Sequence, residues 1–234
     1  MQGILYLVPN TLGNDDTGLT IPESVAKITL GLKVFIVEDA RNARRYLKKL
    51  DRHIDIDALK FHLLNEHTPD EAIPVMLDDL KQGVSAGIIS EAGIPGVADP
   101  GARVVKLAHE NGIRVVPLTG PSSVMMALMA SGMNGQQFRF LGYLPVKRDE
   151  RIKKLRELEA IILHTNETQV FIETPYRNNT LFEDIIRHCH PSIQLTVALD
   201  ISMEREEIST CSIGSWKHKK PDLHKRPAVF VMGR

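Results

Sequence analysis

Short β-branched runs alternate with amphipathic helical stretches along most of this chain, and no other sequence feature constrains the fold as much. Residues 4–8 read as a strand and 22–30 as a helix with Pro22 in its first turn. Residues 34–38 form a second strand, apolar on both faces as a buried parallel strand requires. The 41–50 helix sets Tyr46, Leu47 and Leu50 against an opposite face of Arg and Lys. A helix is expected over 69–82, capped by Thr68, lined by Ile73, Leu77 and Leu80, and stopped by Gly83. Residues 84–90 are a third strong strand. Asp99 as a cap and Pro100 at the first helical position then open a helix that Gly112 ends, and 113–118 is another strand. Repeated units of this kind build a largely parallel sheet with helices on its faces.

The pattern changes after Leu118. Thr119-Gly120-Pro121 is a turn signal, and a methionine-dense helix over 122–131 follows. Strands are expected near 138–144, 170–174, 195–199, 208–213 and 228–232. The last two leave little room for a helix between them and read as an antiparallel hairpin. The expectation is therefore an α/β protein of two α/β domains, residues 1–118 with a mainly parallel sheet and 119–234 with a mixed one.

Composition removes several alternatives. The longest apolar run, residues 124–130, is far shorter than the ~20 residues a membrane helix needs. Residues 1–10 lack the basic start and the apolar length of a secretory signal. Cys189 and Cys211 are the sole cysteines, too few for a disulfide framework or a four-ligand zinc site, and the nine histidines show no metal-ligand spacing. No metal, no membrane partner and a cytoplasmic location are expected. Met125, Met126, Met129 and Met133 recur at near-helical spacing and read as core or dimer packing.

Chemistry is sought in the loops that follow strands, because ligands on open α/β sheets bind at that end. Residues 90–101 (SEAGIPGVADPG) are the richest such loop, with glycines that permit close backbone approach and prolines that stiffen the segment. Neither a dinucleotide fingerprint nor a triphosphate-binding loop is present. Asn10-Thr11-Leu12-Gly13-Asn14 follows the first strand, and Glu38-Asp39-Ala40-Arg41 the second, where Asp39 is either a helix cap or a functional acid. Gly120-Pro121-Ser122-Ser123 offers backbone N–H groups at a helix start.

Taken in order, these loops resemble the tetrapyrrole-methylase superfamily of S-adenosylmethionine-dependent methyltransferases, and within it the branch that methylates a ribose 2′-hydroxyl of small-subunit ribosomal RNA. The matching segments are Val8-Pro9-Asn10-Thr11-Leu12-Gly13-Asn14, Val37-Glu38-Asp39-Ala40-Arg41, Ser90-Glu91-Ala92-Gly93-Ile94-Pro95 with Asp99-Pro100-Gly101, Val116-Pro117-Leu118-Thr119-Gly120-Pro121 and Gly142-Tyr143-Leu144-Pro145. The chain departs from that pattern at Asn10-Thr11, at Ala40-Arg41-Asn42, at Ile172-Glu173-Thr174-Pro175-Tyr176-Arg177, at Leu199-Asp200-Ile201-Ser202 and at Lys225-Arg226-Pro227-Ala228.

The resemblance implies two domains with a cofactor cleft between them, S-adenosylmethionine as cofactor, and a homodimer. It implies cofactor contacts from Leu12, Gly93, Ile94, Val97, Ser122 and Ser123, with the adenine near Thr174, Leu199 and Ala228. Asn10, Arg41, Tyr143 and Arg177 are the candidates for contact with the acceptor. Methyl transfer to a ribose hydroxyl benefits from a general base, for which Glu38 and Asp39 are the candidates beside Glu91 and Glu173. Three readings stay open: an RNA ribose methyltransferase, a methyltransferase of the same fold with a tetrapyrrole or protein acceptor, and a non-catalytic S-adenosylmethionine-binding relative.

RNA needs positive charge, and the chain as a whole has none to spare, with 29 basic and 29 acidic residues. The balance is uneven along the sequence. Residues 41–52 carry +5, 147–156 carry +4 and 217–226 carry +4, so the remainder is −13. The first two segments are also what solvated faces of amphipathic helices look like.

Overall fold

The computed structural model describes residues 1–234, which divide into two compact units, Met1–Ser122 and Ser123–Arg234. Residues 119–122 stay with the first unit because Gly120 packs directly on Pro9: a Cβ at Gly120 would lie 2.2 Å from Pro9 Cβ.

The first unit holds β1 (Ile4–Val8), α1 (Glu23–Gly31), β2 (Val34–Val37), α2 (Ala40–Leu50), β3 (Lys60–Leu63), α3 (Asp78–Lys81), β4 (Ala86–Ile89), α4 (Gly101–Glu110) and β5 (Arg114–Pro117). Its five strands are all parallel, in the order β3-β2-β4-β1-β5. Alternation along each strand sends side chains to two cores. Val8, Phe35, Val37 and Ile89 pack with Val25 of α1 and Tyr46 and Leu47 of α2, while Leu5, Ile36 and Ile88 pack with Leu77, Leu80, Val104 and Ala108. Burial on both faces explains why β2 and β4 are apolar throughout.

Three expectations fail here. Residues 69–82 are not one helix but two 3-10 turns, Asp70–Ala72 and Pro74–Leu77, and the four-residue α3. Pro74 has no N–H to donate and its ring clashes with the preceding turn. Thr68 does not cap a helix either; its hydroxyl accepts from Asn65 N at 2.9 Å. Strand β3 is an edge strand with Lys60 and Leu63 exposed, so its sequence lacks the apolar run that marks the others. Pro100 occupies the N-cap of α4, while Asp99 accepts from Gly101 N and Gly96 N, both at 2.8 Å.

The second unit contains α5 (Ser123–Ser131), β6 (Phe138–Tyr143), α6 (Arg148–Thr165), β7 (Thr168–Glu173), α7 (Asn178–His188), β8 (Gln194–Leu199), β9 (Glu207–Ser212), α8 (Ile213–Trp216) and β10 (Ala228–Gly233). Its sheet is mixed, in the order β6-β7-β10-β8-β9, with β6 and β7 parallel and the other neighbours antiparallel. One face packs Phe171, Leu195, Val197 and Phe230 against Leu155, Leu158, Leu181 and Ile185, and α5 lies against the strands with Met133 touching Gly233. On α5, Val124, Ala127 and Leu128 are buried, whereas Met125 and Met129 are exposed. The expected hairpin of the last two strands does not form. β9 pairs with β8, and β10, buried at every residue, inserts between β7 and β8. A fully buried strand needs a neighbour on both sides, whereas β9, with no fully buried residue, suits the edge.

Candidate active site

In the first unit the loops after β4, β1 and β5 leave three adjacent strands and meet. β1 and β4 continue into helices that pack in opposite cores, so beyond this junction the two chains diverge, at the carboxyl ends of the strands where open α/β sheets bind ligands. Asn10 ties the two loops together. Its N–H donates to Gly93 O at 2.8 Å, its amide nitrogen donates to Ser90 O at 3.0 Å and Glu91 O at 3.1 Å, and its amide oxygen accepts from Thr11 N at 2.8 Å. Asn10 and Thr11 are both buried. Ser90 Oγ donates to Gly93 O at 2.9 Å, and Tyr46 of α2 donates its hydroxyl to Pro9 O at 2.7 Å.

Gly93 has φ +70°, a conformation that favours glycine, and a Cβ there would crowd Leu12 Cδ2 at 3.2 Å and Pro121 O at 3.3 Å. Gly93 therefore brings Leu12 and the loop after β5 onto the same turn. Gly96, φ +82°, has open space where its Cβ would be. Ile94 is half-buried and Val97 exposed on the same loop. Leu12, Gly93, Ile94 and Val97 are thus gathered on two bonded loops; Ser122 closes this unit, and Ser123 opens α5 in the second.

Acid groups crowd the same edge. Burial pushes the Glu38 carboxyl up to about 7, helped by repulsion from Asp99, Glu91 and Glu66. Asp99 is also raised, by burial, against the two backbone N–H groups that Oδ1 accepts; Oδ2 is buried without a partner. Glu38 and Asp99 share a small cavity with Ile36, Leu64 and Ile88. The neighbouring acids divide the other tasks: Asp39 caps α2 by accepting from Asn42 N at 2.8 Å, and Glu91 accepts from the Asn42 amide at 2.5 Å. Arg41 stands exposed on the first turn of α2. A polar cavity of about 140 Å³ lies beside the Asn10 bridge, lined by Asn10, Asn42, Arg45, Tyr46, Lys49 and Glu91 among others. Arg45 and Lys49 were not legible in the sequence as members of this site, because only the fold brings α2 beside the 90–101 loop, which the sequence had already marked with Asp99 in it.

In the second unit, Ala228 pairs with Glu173 on one side and Leu199 on the other, and Tyr143 pairs with Ile172. Tyr143, Thr174, Leu199 and Ala228 are therefore brought to one end of the sheet. Leu199 and Ala228 are buried and Tyr143 exposed. Arg177 is occupied locally: Nη2 lies 2.5 Å from Glu173 Oε1, and Nε 3.2 Å from Thr174 Oγ1. Glu173 Oε2 is buried without a partner. The segments 199–202 and 225–228 meet through an ion pair between Arg226 and Asp200, which sequence spacing did not disclose.

No group of three or more His, Cys, Asp or Glu side chains is placed to hold a metal ion. No helix is long and apolar enough to cross a membrane. S-adenosylmethionine is a cation with polar and apolar parts. The acid-rich edge with its unpartnered Asp99 oxygen, the open backbone at Gly96 and the apolar Leu12, Ile94 and Val97 fit such a ligand.

Comparison with known proteins agrees with this fold. Among curated proteins, the chain is 31% identical to ribosomal RNA small subunit methyltransferase I of Vibrio cholerae over 88% of its length and 67% of the relative's. It is 30% identical to the protein of the same name from Haemophilus influenzae, over 99% of the chain and 79% of the relative. Among solved structures, the methyltransferase CobJ superposes with a TM-score of 0.65 at 15% identity, covering 99% of this chain and 94% of that one. Uroporphyrin-III C-methyltransferase from Thermus thermophilus, complexed with S-adenosyl homocysteine, superposes with a TM-score of 0.58 at 17% identity, covering 99% and 98%. Residues 31–216 match the family described as Tetrapyrrole (Corrin/Porphyrin) Methylases. The chain belongs to the tetrapyrrole (corrin/porphyrin) methylase family and is, by that membership, a methyltransferase.

Proposed function

We propose that this protein transfers a methyl group from S-adenosylmethionine to a ribose 2′-hydroxyl of small-subunit ribosomal RNA, and that Glu38 is the general base. The observation that carries the reading is geometric: Glu38 and Asp99 share a small cavity at the carboxyl ends of the parallel strands, where burial and the neighbouring acids push the Glu38 carboxyl up to about 7. A ribose hydroxyl is a weak nucleophile, and a base with a pKa near the working pH combines availability with driving force. The relatives that share about 30% of the sequence carry ribosomal RNA in their names, whereas the tetrapyrrole enzymes share the fold at 15–17% identity.

Bound S-adenosylmethionine supplies an electrophilic methyl on a sulfonium. The chain's own work is to align acceptor and donor, which is where most of the rate gain in an in-line displacement arises. The Asn10–Gly93 bridge fixes the two loops that would hold the donor; one of its bonds is backbone to backbone and two come from the Asn10 amide, so the departure at Asn10 itself ties the loops. Glu38 Oε would accept the hydroxyl proton as the acceptor oxygen bonds to the methyl carbon, while the carbon–sulfur bond breaks and its electron pair stays on sulfur as a neutral thioether. The same reading carries a homodimer acting in the cytoplasm, and sedimentation at equilibrium checks the first part.

The test is transfer of labelled methyl from S-adenosylmethionine to purified small ribosomal subunits and their RNA, followed by nucleoside analysis. Label on a 2′-O-methylated nucleoside is expected. Label confined to a base, or to a tetrapyrrole offered in parallel, overturns the acceptor. No cofactor binding by calorimetry overturns the whole reading.

A further inference from the structure

The three basic segments are not equivalent once folded. In 147–156 the charge is largely answered by acids: Arg151 is buried on Asp184 at 2.7 Å, Arg148 reaches Asp184 at 3.1 Å, and Lys147 and Lys154 pair with Glu150 and Glu157. In 41–52, Arg44 lies over the Phe61 ring, Lys48 donates to two backbone carbonyls and Lys49 pairs with Asp15, while Arg41, Arg45 and Arg52 are exposed without an ion pair but line no apolar groove. In 217–226, Arg226 is buried against Asp200. Lys217, Lys219 and Lys220 have no carboxylate within ion-pair distance and are exposed.

These three lysines rim a groove of about 330 Å³ between α7 and the segment after α8, with Phe182 and Ile186 on α7 and Pro221 opposite. Phe182 meets Trp216 edge to face at 5.6 Å, and Lys219 Nζ sits 5.6 Å from the Trp216 ring centroid. Phe182 and Ile186 are half-buried, so an apolar floor is left facing a cationic rim. Arg187 adds to the rim but is shared with Glu183 at 3.3 Å.

We propose that this groove docks a single-stranded segment of the acceptor RNA, with phosphates on Lys217, Lys219 and Lys220 and one unpaired base against Phe182. Charge complementarity chooses the occupant: unanswered cations suit phosphates, and an aromatic wall suits a base face, the combination by which proteins hold single strands. The inference rests on the RNA reading above and adds a docking surface that lies outside the proposed reaction site.

The experiment compares the wild type with the K217Q/K219Q/K220Q variant and with F182L, using small-subunit RNA. Binding is measured across a salt series, methyl transfer is measured for KM and kcat, and cofactor binding is measured by calorimetry. The lysines are exposed, so the triple variant should fold, and circular dichroism checks this. For the triple variant the expected result is RNA binding weakened at least tenfold, with the slope of log K against log salt reduced by about 2. KM for RNA should rise with kcat at saturation and cofactor affinity unchanged. F182L should weaken RNA binding with the salt slope kept. RNA affinity and slope equal to wild type in the triple variant would overturn this proposal alone, and would point to an acidic protein partner if that variant loses one. A wild type that neither binds nor methylates RNA overturns the parent reading and this inference with it.

Discussion

Arg226 Nε lies 2.5 Å from Asp200 Oδ2, and both residues are buried. Each belongs to a segment that departs from the pattern the chain resembles, and in the folded protein the two departures are one another's partners. Arg205 also reaches Asp200 at 3.1 Å, and Glu207 reaches Arg226 at 3.1 Å. Burial pulls the Arg226 guanidinium down, but its bonds to Asp200 and Glu207 outweigh that and hold it above its ordinary value. Asp200 sits at φ +48°, which Asn and Asp tolerate better than other side chains.

That arrangement predicts strong coupling. Arg226→Met should cost about 3–5 kcal/mol, because it leaves Asp200 buried with only the more exposed Arg205. Asp200→Asn keeps the backbone and should cost less. Urea denaturation of the singles and the double variant closes the cycle, and a coupling below about 0.5 kcal/mol would mean the pair does not act as a unit.

Glu38 should show opposite effects on activity and stability. Its folded pKa of about 7 lies above the unfolded value, so its contribution to stability is present below pH ~4.5 and lost as pH rises through 7. At pH 8 the wild type therefore holds an unfavourable charge that Glu38→Gln removes. The gain is about 1–2 kcal/mol after solvent screening, or roughly 2–8 °C in Tm. The same variant should lose about 100-fold or more in kcat, and the wild-type kcat should rise with pH through an inflection near 7. A pH-independent kcat would remove Glu38 from the role of base.

Asn10→Ala should loosen the candidate site. It leaves the buried Ser90 carbonyl and the Thr11 N–H without their side-chain partner, at a cost of about 1–3 kcal/mol. Cofactor affinity measured by calorimetry should fall with it, since the 90–101 loop loses its tie to the loop after β1.

Tyr46→Phe removes one bond, Tyr46 Oη to Pro9 O, while keeping the ring in its core. Thermal unfolding should show a loss of about 1 kcal/mol. Cofactor affinity should change less than in Asn10→Ala, because Tyr46 supports the first loop and does not bridge to the second.

Strands β2 and β4 were legible because two-sided burial leaves continuous apolar runs in the sequence, and the edge strand β5 because Gly112 before it and Thr119-Gly120-Pro121 after it bracket a short β-branched run. Strand β3 was not, since an edge strand with exposed Lys60 and Leu63 carries no such mark. The 69–82 segment misled because apolar spacing was weighed above Pro74. At the site, the loops were readable from strand-end glycines and prolines, yet their mutual bonds were not. Nothing local to Asn10 announces that its amide closes on Ser90, eighty residues away. Asp99 read as a simple cap, although one of its oxygens is left over. The pairing of the last strands was misjudged because closeness in sequence favoured a hairpin, whereas burial of every β10 residue demanded a central place.

That central place has a kinetic consequence. β10 separates β7 from β8, so the ladder of the second unit has a gap until residues 228–233 are available. During synthesis the first unit has all its strands once Pro117 has emerged, whereas the second must hold Phe171 and Val197 against helices without the strand that joins them. Such high-separation contacts fold slowly and leave unpaired strand edges exposed to other chains in the interval. A chain stopped at Lys225 should accordingly yield a folded first unit and an aggregation-prone second half.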